Sequence, residues 1–450
     1  MRSYTGSCMS YASALDQLHA MTPELHTVGA APRRKFSLDE VRILLAALGD
    51  PQLRFPSVLI AGTNGKGSTA ATLASILSES GLRVGLYTSP HLVRVNERIC
   101  IGGAEIADEE FARHFFSVQA AAQQLLKSGA LPQMPSFFEV LTALAFLCFA
   151  ERRVDIAVLE VGMGGRLDAT NVVEPLLSIV TDISLDHTEW LGPTISAIAR
   201  EKAGILRRGG TMVTLPQHPE ANQALGEAAG ELEVRCVNAS AYMPAAEAGE
   251  GYEVEAFGRP LRVASPLVGE HQHRNLALAI AAAVELSRLP GFSSVTAVSV
   301  EEGIRKTSWP ARLERLTSMG REWILDVAHN PAGAWALRAS LHTIMRYNKP
   351  STLVFSCLRD KPVAEMAQIL FPLFDRVILA PIHSARAASL EELAAAAKAA
   401  GTDPVVADTV EGALRLARAG AGSGAIVVSG SVYLVGEARG LLVAAGGSAA

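Results

Sequence analysis

The sequence predicts an α/β protein of two domains, each a mostly parallel sheet covered by helices. Three observations predict it. Short apolar runs alternate with helical stretches through both halves of the chain, the pattern that parallel sheets impose. One such run, residues 57–61, breaks into a glycine loop and then a helical stretch with Leu73, Ile76 and Leu77 on one face, so strand, loop and helix follow one another directly. The chain has 450 residues, 49% of them hydrophobic, which is enough to bury more than one core. Residues 1–307 therefore read as a P-loop mononucleotide-binding domain and residues 308–450 as a C-terminal Rossmann-like α/β domain.

Taken in order, about sixty helix-leaning residues precede Gly62, fewer than a usual domain. After the glycine loop, apolar runs at 82–87, 154–161, 176–181 and 211–215 read as strands, with helices at 108–126, 137–150 and 194–206. Around 232–264 the pattern turns short, polar and alternating, with Gly249, Gly251, Gly258 and Pro260. That stretch reads as a small antiparallel excursion before a helix starting near His271. The boundary falls near Thr307, just before Trp309-Pro310. Strands then follow at 323–327, 352–356, 376–380 and 425–429, and helices at 332–345, 363–371, 390–399, 410–418 and 433–442. Residues 446–450 are expected to fray.

Composition narrows the partners. A net charge of −5 with scattered Lys and Arg gives no basic stripe, which excludes a nucleic-acid-binding role. The five cysteines, Cys8, Cys100, Cys148, Cys236 and Cys357, are odd in number and never in a Cys-x-x-Cys pair. That spacing argues against a disulfide framework and against a zinc site, and fits a reducing cytosol. The first 32 residues contain Pro23 and Pro32 and no apolar core of signal-peptide length. The greasiest run, 140–150, falls short of the roughly 20 residues a membrane span needs, so a cytoplasmic protein without a membrane partner is expected.

The chemistry begins at the glycine loop. Asn64, Gly65, Lys66, Gly67 and Ser68 join a strand to a helix, an arrangement that turns backbone N–H groups toward phosphate oxygens while a lysine adds a point charge. The usual spacing G-x-x-x-x-G-K-[ST] nevertheless fails: Ile60 stands where the first glycine belongs, and Gly67 takes the place of the hydroxyl residue, with Ser68 one step later. Glu160 closes an apolar run and so sits at the carboxyl end of a strand, where open sheets place ligands; on spacing alone an exposed strand-end acid fits equally. His187 by itself reads as a surface or satisfied histidine. Lys202 shares a helix face with Ile195, Ile198, Ala199 and Leu206, while Arg200 points elsewhere; alone, it reads as a snorkelling lysine. Arg312 alone is a solvated charge, Asp326 a helix cap for the segment after Pro331, and Phe137 and Phe138 core packing.

The string Ala61-Gly62-Thr63-Asn64-Gly65-Lys66-Gly67-Ser68-Thr69 resembles the variant loop of the Mur ligase superfamily, in its folylpolyglutamate synthase and dihydrofolate synthase branch. So, in the same order, do Ser89-Pro90-His91-Leu92 with Asn96-Glu97-Arg98, Glu160-Val161-Gly162-Met163-Gly164-Gly165, Asp186-His187, Glu201-Lys202-Ala203-Gly204, Trp309-Pro310-Ala311-Arg312 and Asp326-Val327-Ala328-His329-Asn330-Pro331. The resemblance runs from about Leu18 to about Gly436. It implies a first domain of Mur ligase type and an ADP-forming ligase that adds L-glutamate to dihydropteroate or a reduced folate through an acyl phosphate. ATP would be co-substrate, held by Asn64, Gly65, Lys66, Gly67, Ser68, Asn275, Arg312 and Asp326. Two Mg²⁺ sites, with Mn²⁺ acceptable, would use Ser68, Ser89, Glu160, His187 and Lys202 as its carbamate, a modification that needs a neutral amine. Lys66, Lys202, His187 and Glu160 would be catalytic, Phe137, Phe138 and Asp168 would face the pterin, and His329 and Ser431 the glutamate. The family's usual form is a cytoplasmic monomer.

Two departures leave the acceptor open. Phe355-Ser356-Cys357-Leu358-Arg359-Asp360-Lys361-Pro362 keeps the Asp-Lys pair without the family's glycine-methionine start and final acid, and residues 27–36 are generic. Of the other readings, a cell-wall ligase acting on a UDP-linked sugar lacks room for its UDP domain before Gly62. A non-catalytic nucleotide-binding regulator would not need Lys66, Glu160, His187 and Lys202 together.

Overall fold

The computed structural model describes residues 9–21, 37–245, 251–344, 351–420 and 424–449. Cys8, Pro23, residues 27–36, Gly249 and Met345, all singled out above, lie outside the described residues. The first sheet has eight strands: β1 (Ser57–Ala61), β2 (Val84–Tyr87), β3 (Ile99–Ile101), β4 (Ala104–Glu105), β5 (Ile156–Glu160), β6 (Leu177–Val180), β7 (Thr211–Thr214) and β8 (Arg235–Asn238). Their order is β4-β3-β2-β5-β1-β6-β7-β8, parallel from β2 to β8, with β3 and β4 antiparallel at one edge.

Every residue of β1 and β5 is buried, which explains why both read as unbroken apolar runs rather than alternating ones. Alternate side chains serve two cores. Leu59, Ala61, Ala157 and Leu159 pack with Phe111, Phe115, Phe146 and Phe149 from the helices Asp108–Lys127 and Phe137–Arg152. Val58, Ile60, Ile156 and Val158 pack on the other face with Leu73, Leu77, Leu278 and Ile280 from Lys66–Glu79 and Glu270–Ser287. The Phe137–Arg152 helix starts at a capping box, Ser136 N–H donating to Glu139 at 2.6 Å and Glu139 N–H to Ser136 Oγ at 3.4 Å.

The polar stretch before His271 is not one antiparallel excursion. Arg235–Asn238 pairs parallel with Thr211–Thr214 as the last strand of the main sheet. Only β9 (Tyr252–Ala256) and β10 (Arg259–Val263) form an antiparallel hairpin. As an edge strand with mostly exposed side chains, β8 carries no apolar signature.

The C-terminal sheet has seven strands: β11 (Glu314–Ser318), β12 (Arg321–Leu325), β13 (Thr352–Phe355), β14 (Arg376–Leu379), β15 (Val405–Val406), β16 (Ile426–Ser429) and β17 (Ser448–Ala449), in the order β15-β14-β13-β16-β12-β11-β17. All neighbours pair in parallel except β11, which runs antiparallel to β12 and β17. The tail expected to fray thus ends in an edge strand. Val377, Leu379 and Val427 face one core, and Ile378, Ile426 and Val428 the other. The Ala297–Lys306 helix closes the first unit just before β11 opens the second. Among the described residues no helix is long and apolar enough to cross a membrane.

Candidate active site

From β1 the chain crosses to β2 on one side, and from the neighbouring β5 it crosses to β6 on the other, which puts a switch point of the sheet between their carboxyl ends. There the loop after Ala61 is held from behind. Thr63 N–H and Asn64 N–H donate to the Asp182 carbonyl at 2.8 and 3.2 Å, and the Thr181 hydroxyl donates to the Asn64 carbonyl at 2.7 Å. Arg274 grips the Asp182 carboxylate, Nε to Oδ2 at 2.8 Å and Nη2 to Oδ1 at 2.6 Å. Gly65, at φ 87°, turns the chain into the Lys66–Glu79 helix. A Cβ on Gly67 would lie 2.9 Å from Cζ2 of Trp309. A side chain there would have to displace the indole, and the nearest hydroxyl in the helix belongs to Ser68.

A cleft of about 590 Å³ opens over this loop. Its lining includes Asn64, Gly65, Lys66, Gly67, Ser68, Ser89, Glu160, His187 and Lys202 from the first unit. The Glu160 carboxylate is buried and accepts from Ser89 N–H at 3.2 Å. Burial raises its pKa above the ordinary carboxylate value, against the pull of Lys66. His187 is kept neutral, its pKa lowered to about 3 by burial and then by Lys361. Lys202 is only 4% exposed and donates from Nζ to the Gly62 carbonyl at 2.7 Å. Burial first, then Lys66, lower its pKa to about 7. Its ammonium does not snorkel. Ile198 and Ala199 are buried beside it, Arg200 turns out to Glu227 at 2.7 Å, and the helix ends at Ala203, so Leu206 lies beyond it.

The chemistry of this donor set fits a hard divalent cation. A carboxylate destabilised by burial regains its charge next to a cation, and a neutral imidazole offers its lone pair. Ser68 and Ser89 add hydroxyl oxygens, and an amine near neutrality is the form that can become a carbamate.

The facing wall belongs to the second unit and includes Arg312, Asp326 and His329; Asn275, from the Glu270–Ser287 helix of the first unit, stands beside the loop against Gly65. Burial lowers Arg312 against the pull of Asp326, and its Nη1 donates to its neighbour's carbonyl, Ala311, at 3.1 Å. Asp326 accepts from Leu313 N–H at 3.0 Å and Ala328 N–H at 2.9 Å. It is not the cap of the following helix: Asn330 Oδ1 takes that place, accepting from Gly333 N–H at 2.8 Å. Asn275 donates to Gln272 Oε1 at 2.8 Å. His329 is lowered to about 4 by burial and then Lys361.

Four expected site residues do not line the cleft. Phe138 is buried against Gly162, with its ring 5.9 Å from that of Tyr87. Phe137 is half-buried, with the Arg98 guanidinium 5.2 Å from its ring centre. Asp168 spends its carboxylate inside its own loop, accepting from Met163 N–H at 2.9 Å and from Thr170 N–H at 3.0 Å and hydroxyl at 2.6 Å. Ser431 caps the last helix, accepting from Tyr433 N–H at 3.2 Å.

The sequence quoted Asp186 and Lys361 without assigning them a role. Lys361 Nζ meets Asp186 Oδ1 at 2.5 Å across the two units, with side chains only 4% and 9% exposed. Burial pushes the Asp186 carboxyl up, and Lys361 reverses this, holding it well below the usual range. Asn330 Nδ2 adds a second bridge to Asn64 Oδ1 at 3.0 Å.

Both units match known domains. The Mur ligase middle domain matches residues 60–283, and the Mur ligase, glutamate ligase domain matches residues 311–432. The two sheets that face each other across the cleft are therefore those of a Mur ligase. Over 438 residues the chain is 35% identical to the folylpolyglutamate synthase of Lacticaseibacillus casei, covering 96% of this chain and 98% of that protein. It is also 35% identical over 420 residues to the dihydrofolate synthase/folylpolyglutamate synthase of Bacillus subtilis, covering 90% and 94%. The Mycobacterium tuberculosis folylpolyglutamate synthase complexed with ADP superimposes with a TM-score of 0.84 at 32% identity, covering 96% and 98% of the chains. This chain belongs to the folylpolyglutamate synthase and dihydrofolate synthase family.

Proposed function

We propose that the protein is an ATP-dependent, ADP-forming ligase that joins L-glutamate to the carboxylate of a pterin or folate through an acyl phosphate. One observation carries this reading: a phosphate loop, the buried Glu160 and Lys202 with the half-buried His187, and the Arg312–Asp326–His329 wall converge on one cleft from two sheets. The names and ligands of the relatives support it.

Lys66 and the N-terminus of its helix bind the outer phosphates, where phosphoryl transfer depends on position and charge. Asn64, Gly65, Gly67 and Ser68 line the loop, Asn275 holds the nucleotide beside Gly65, and Arg312 and Asp326 hold it from the far side. Ser68, Ser89, Glu160, His187 and Lys202 as its carbamate would hold Mg²⁺ at two positions, Mn²⁺ being acceptable. When bound, that cation supplies charge neutralisation at the transferring phosphoryl group. The acceptor carboxylate takes the γ-phosphoryl group and ADP leaves. The amine of glutamate, lined by His329 and by the helix start that Ser431 caps, then displaces phosphate from the acyl carbon. Phe137, Phe138 and Asp168 would act on the pterin side from behind the cleft wall, Phe138 by packing on Gly162 and Asp168 by holding Met163. Approach of residues 308–450 to residues 1–307 excludes the water that would hydrolyse the acyl phosphate.

The protein acts as a cytosolic monomer on these small molecules, without nucleic acid or membrane, in keeping with its net charge of −5. The test is phosphate release with ATP, Mg²⁺ and L-glutamate, comparing 7,8-dihydropteroate with a reduced folate monoglutamate. Turnover with the first, the second or both defines a dihydrofolate synthase, a polyglutamate synthase or a bifunctional enzyme. Turnover with neither overturns the reading.

A further inference from the structure

We propose a second kind of metal site, remote from the cleft, in which Glu110, His114 and Cys148 bind a borderline-soft divalent cation of the Zn²⁺ class. Glu110 and His114 stand four residues apart on the Asp108–Lys127 helix and so share a face. Cys148 comes from the Phe137–Arg152 helix, which packs against it through Phe111, Phe115, Phe146 and Phe149. One ligand atom from each of the three lies within 4.8 Å of the others. The residues are 7%, 3% and 0% exposed, and none of them lines the cleft.

The imidazole supplies the decisive observation. His114 Nε2 is buried and has no hydrogen-bond partner, although buried polar atoms are almost always satisfied. The Glu151 carboxylate stands 3.4 Å from it, out of line for a hydrogen bond. In the tautomer with its proton on Nδ1, that unpartnered Nε2 presents a lone pair to a metal. Glu110 receives Arg152 through both oxygens, at 2.9 and 2.7 Å, but a carboxylate has about four acceptor directions, which leaves two for a cation.

One sulfur, one nitrogen and one oxygen on two facing helices suit Zn²⁺ and not Mg²⁺ or Ca²⁺, which take oxygen ligands. Zinc ligands lie roughly 2.0–2.3 Å from the metal, so side-chain rotations of about an ångström close the set. Binding replaces the Cys148 thiol proton with the metal and releases that proton to solvent. Glu151 is held by Arg113 through both oxygens at 2.7 Å, so the fourth position falls to water. The cysteine spacing that argued against zinc considered neighbours in the sequence, whereas these ligands meet only through helix packing.

Cobalt titration of the full chain tests the site. A thiolate bound to Co²⁺ gives a ligand-to-metal charge-transfer band, and the cleft donors, which contain no thiol, stay silent in that readout. The expected result is a band saturating at one equivalent, reversed by Zn²⁺ and retained in Cys236→Ser. It disappears in Cys148→Ser and requires at least about tenfold more Co²⁺ in His114→Gln. Absence of the band from the wild-type chain overturns the proposal, as does a band that survives in Cys148→Ser. If Cys148→Ser does not fold, His114→Gln decides: an unchanged titration there overturns the site. None of these outcomes depends on the ligase reading.

Discussion

Lys361 and Asp186 form a buried ion pair at 2.5 Å that joins the two units at the edge of the cleft. Neither charge has access to much water, so removing one partner leaves the other buried alone. Lys361→Met is expected to cost about 3–5 kcal/mol, and the double variant Lys361→Met with Asp186→Asn less than the sum of the single changes. Denaturant unfolding of the four proteins checks this; additive losses would show that the pair does not couple.

Lys202 links stability to pH. Its folded pKa of about 7 lies below the unfolded value of about 10.4. Below about pH 7 both states bind the proton, and the cost of burying the ammonium is fully present. From about pH 7 to 10 only the unfolded state binds it, so stability of the CO₂-free protein rises with pH. Lys202→Met should flatten that rise in unfolding curves recorded across the window. In bicarbonate, mass measurement under non-acidic conditions should find the carbamate, and full activity in Lys202→Ala would remove it from the mechanism.

Glu160 separates stability from function. Burial disfavours its charge, so the neutral isostere in Glu160→Gln should melt at the same temperature or higher without divalent cations. Turnover in Mg²⁺ should nevertheless fall by about 100-fold or more. Chelation of the wild-type protein should reproduce the loss, and added Mg²⁺ should reverse it. A Glu160→Gln variant with wild-type turnover would exclude this carboxylate from the reaction.

Gly67 is constrained by Trp309. Gly67→Ser places a side chain against the indole and is expected to cost about 1–3 kcal/mol and to weaken ADP binding. Trp309→Ala in the same chain should recover much of the stability. Thermal melts and ADP titrations of the single and double variants check both parts; a Gly67→Ser chain as stable as wild type would show that the indole yields.

Legibility followed burial. The central strands β1 and β5 were readable because both faces are covered, which leaves an unbroken apolar run. Strand β11 was missed because only alternate residues, such as Leu316 and Ser318, turn inward, and β8 because it is an exposed edge. At the site, Lys202 was conspicuous through helical period alone, since it falls with Ile198 and Ala199. The family resemblance put Asp168 against the pterin, yet its oxygens are taken by Met163 and Thr170. The Asp186–Lys361 pair was unreadable because no local spacing joins residues brought together only when the two sheets face each other.

The contact between Gly67 and Trp309 also bears on how such a loop can change over generations. A hydroxyl residue arriving at position 67 while the indole occupies that space is strained. The aromatic position in the linker has to shrink first, and Ser68 has to be kept until the replacement is in place. Two sites far apart in the chain therefore mutate in a permitted order, and the reverse order passes through a strained intermediate.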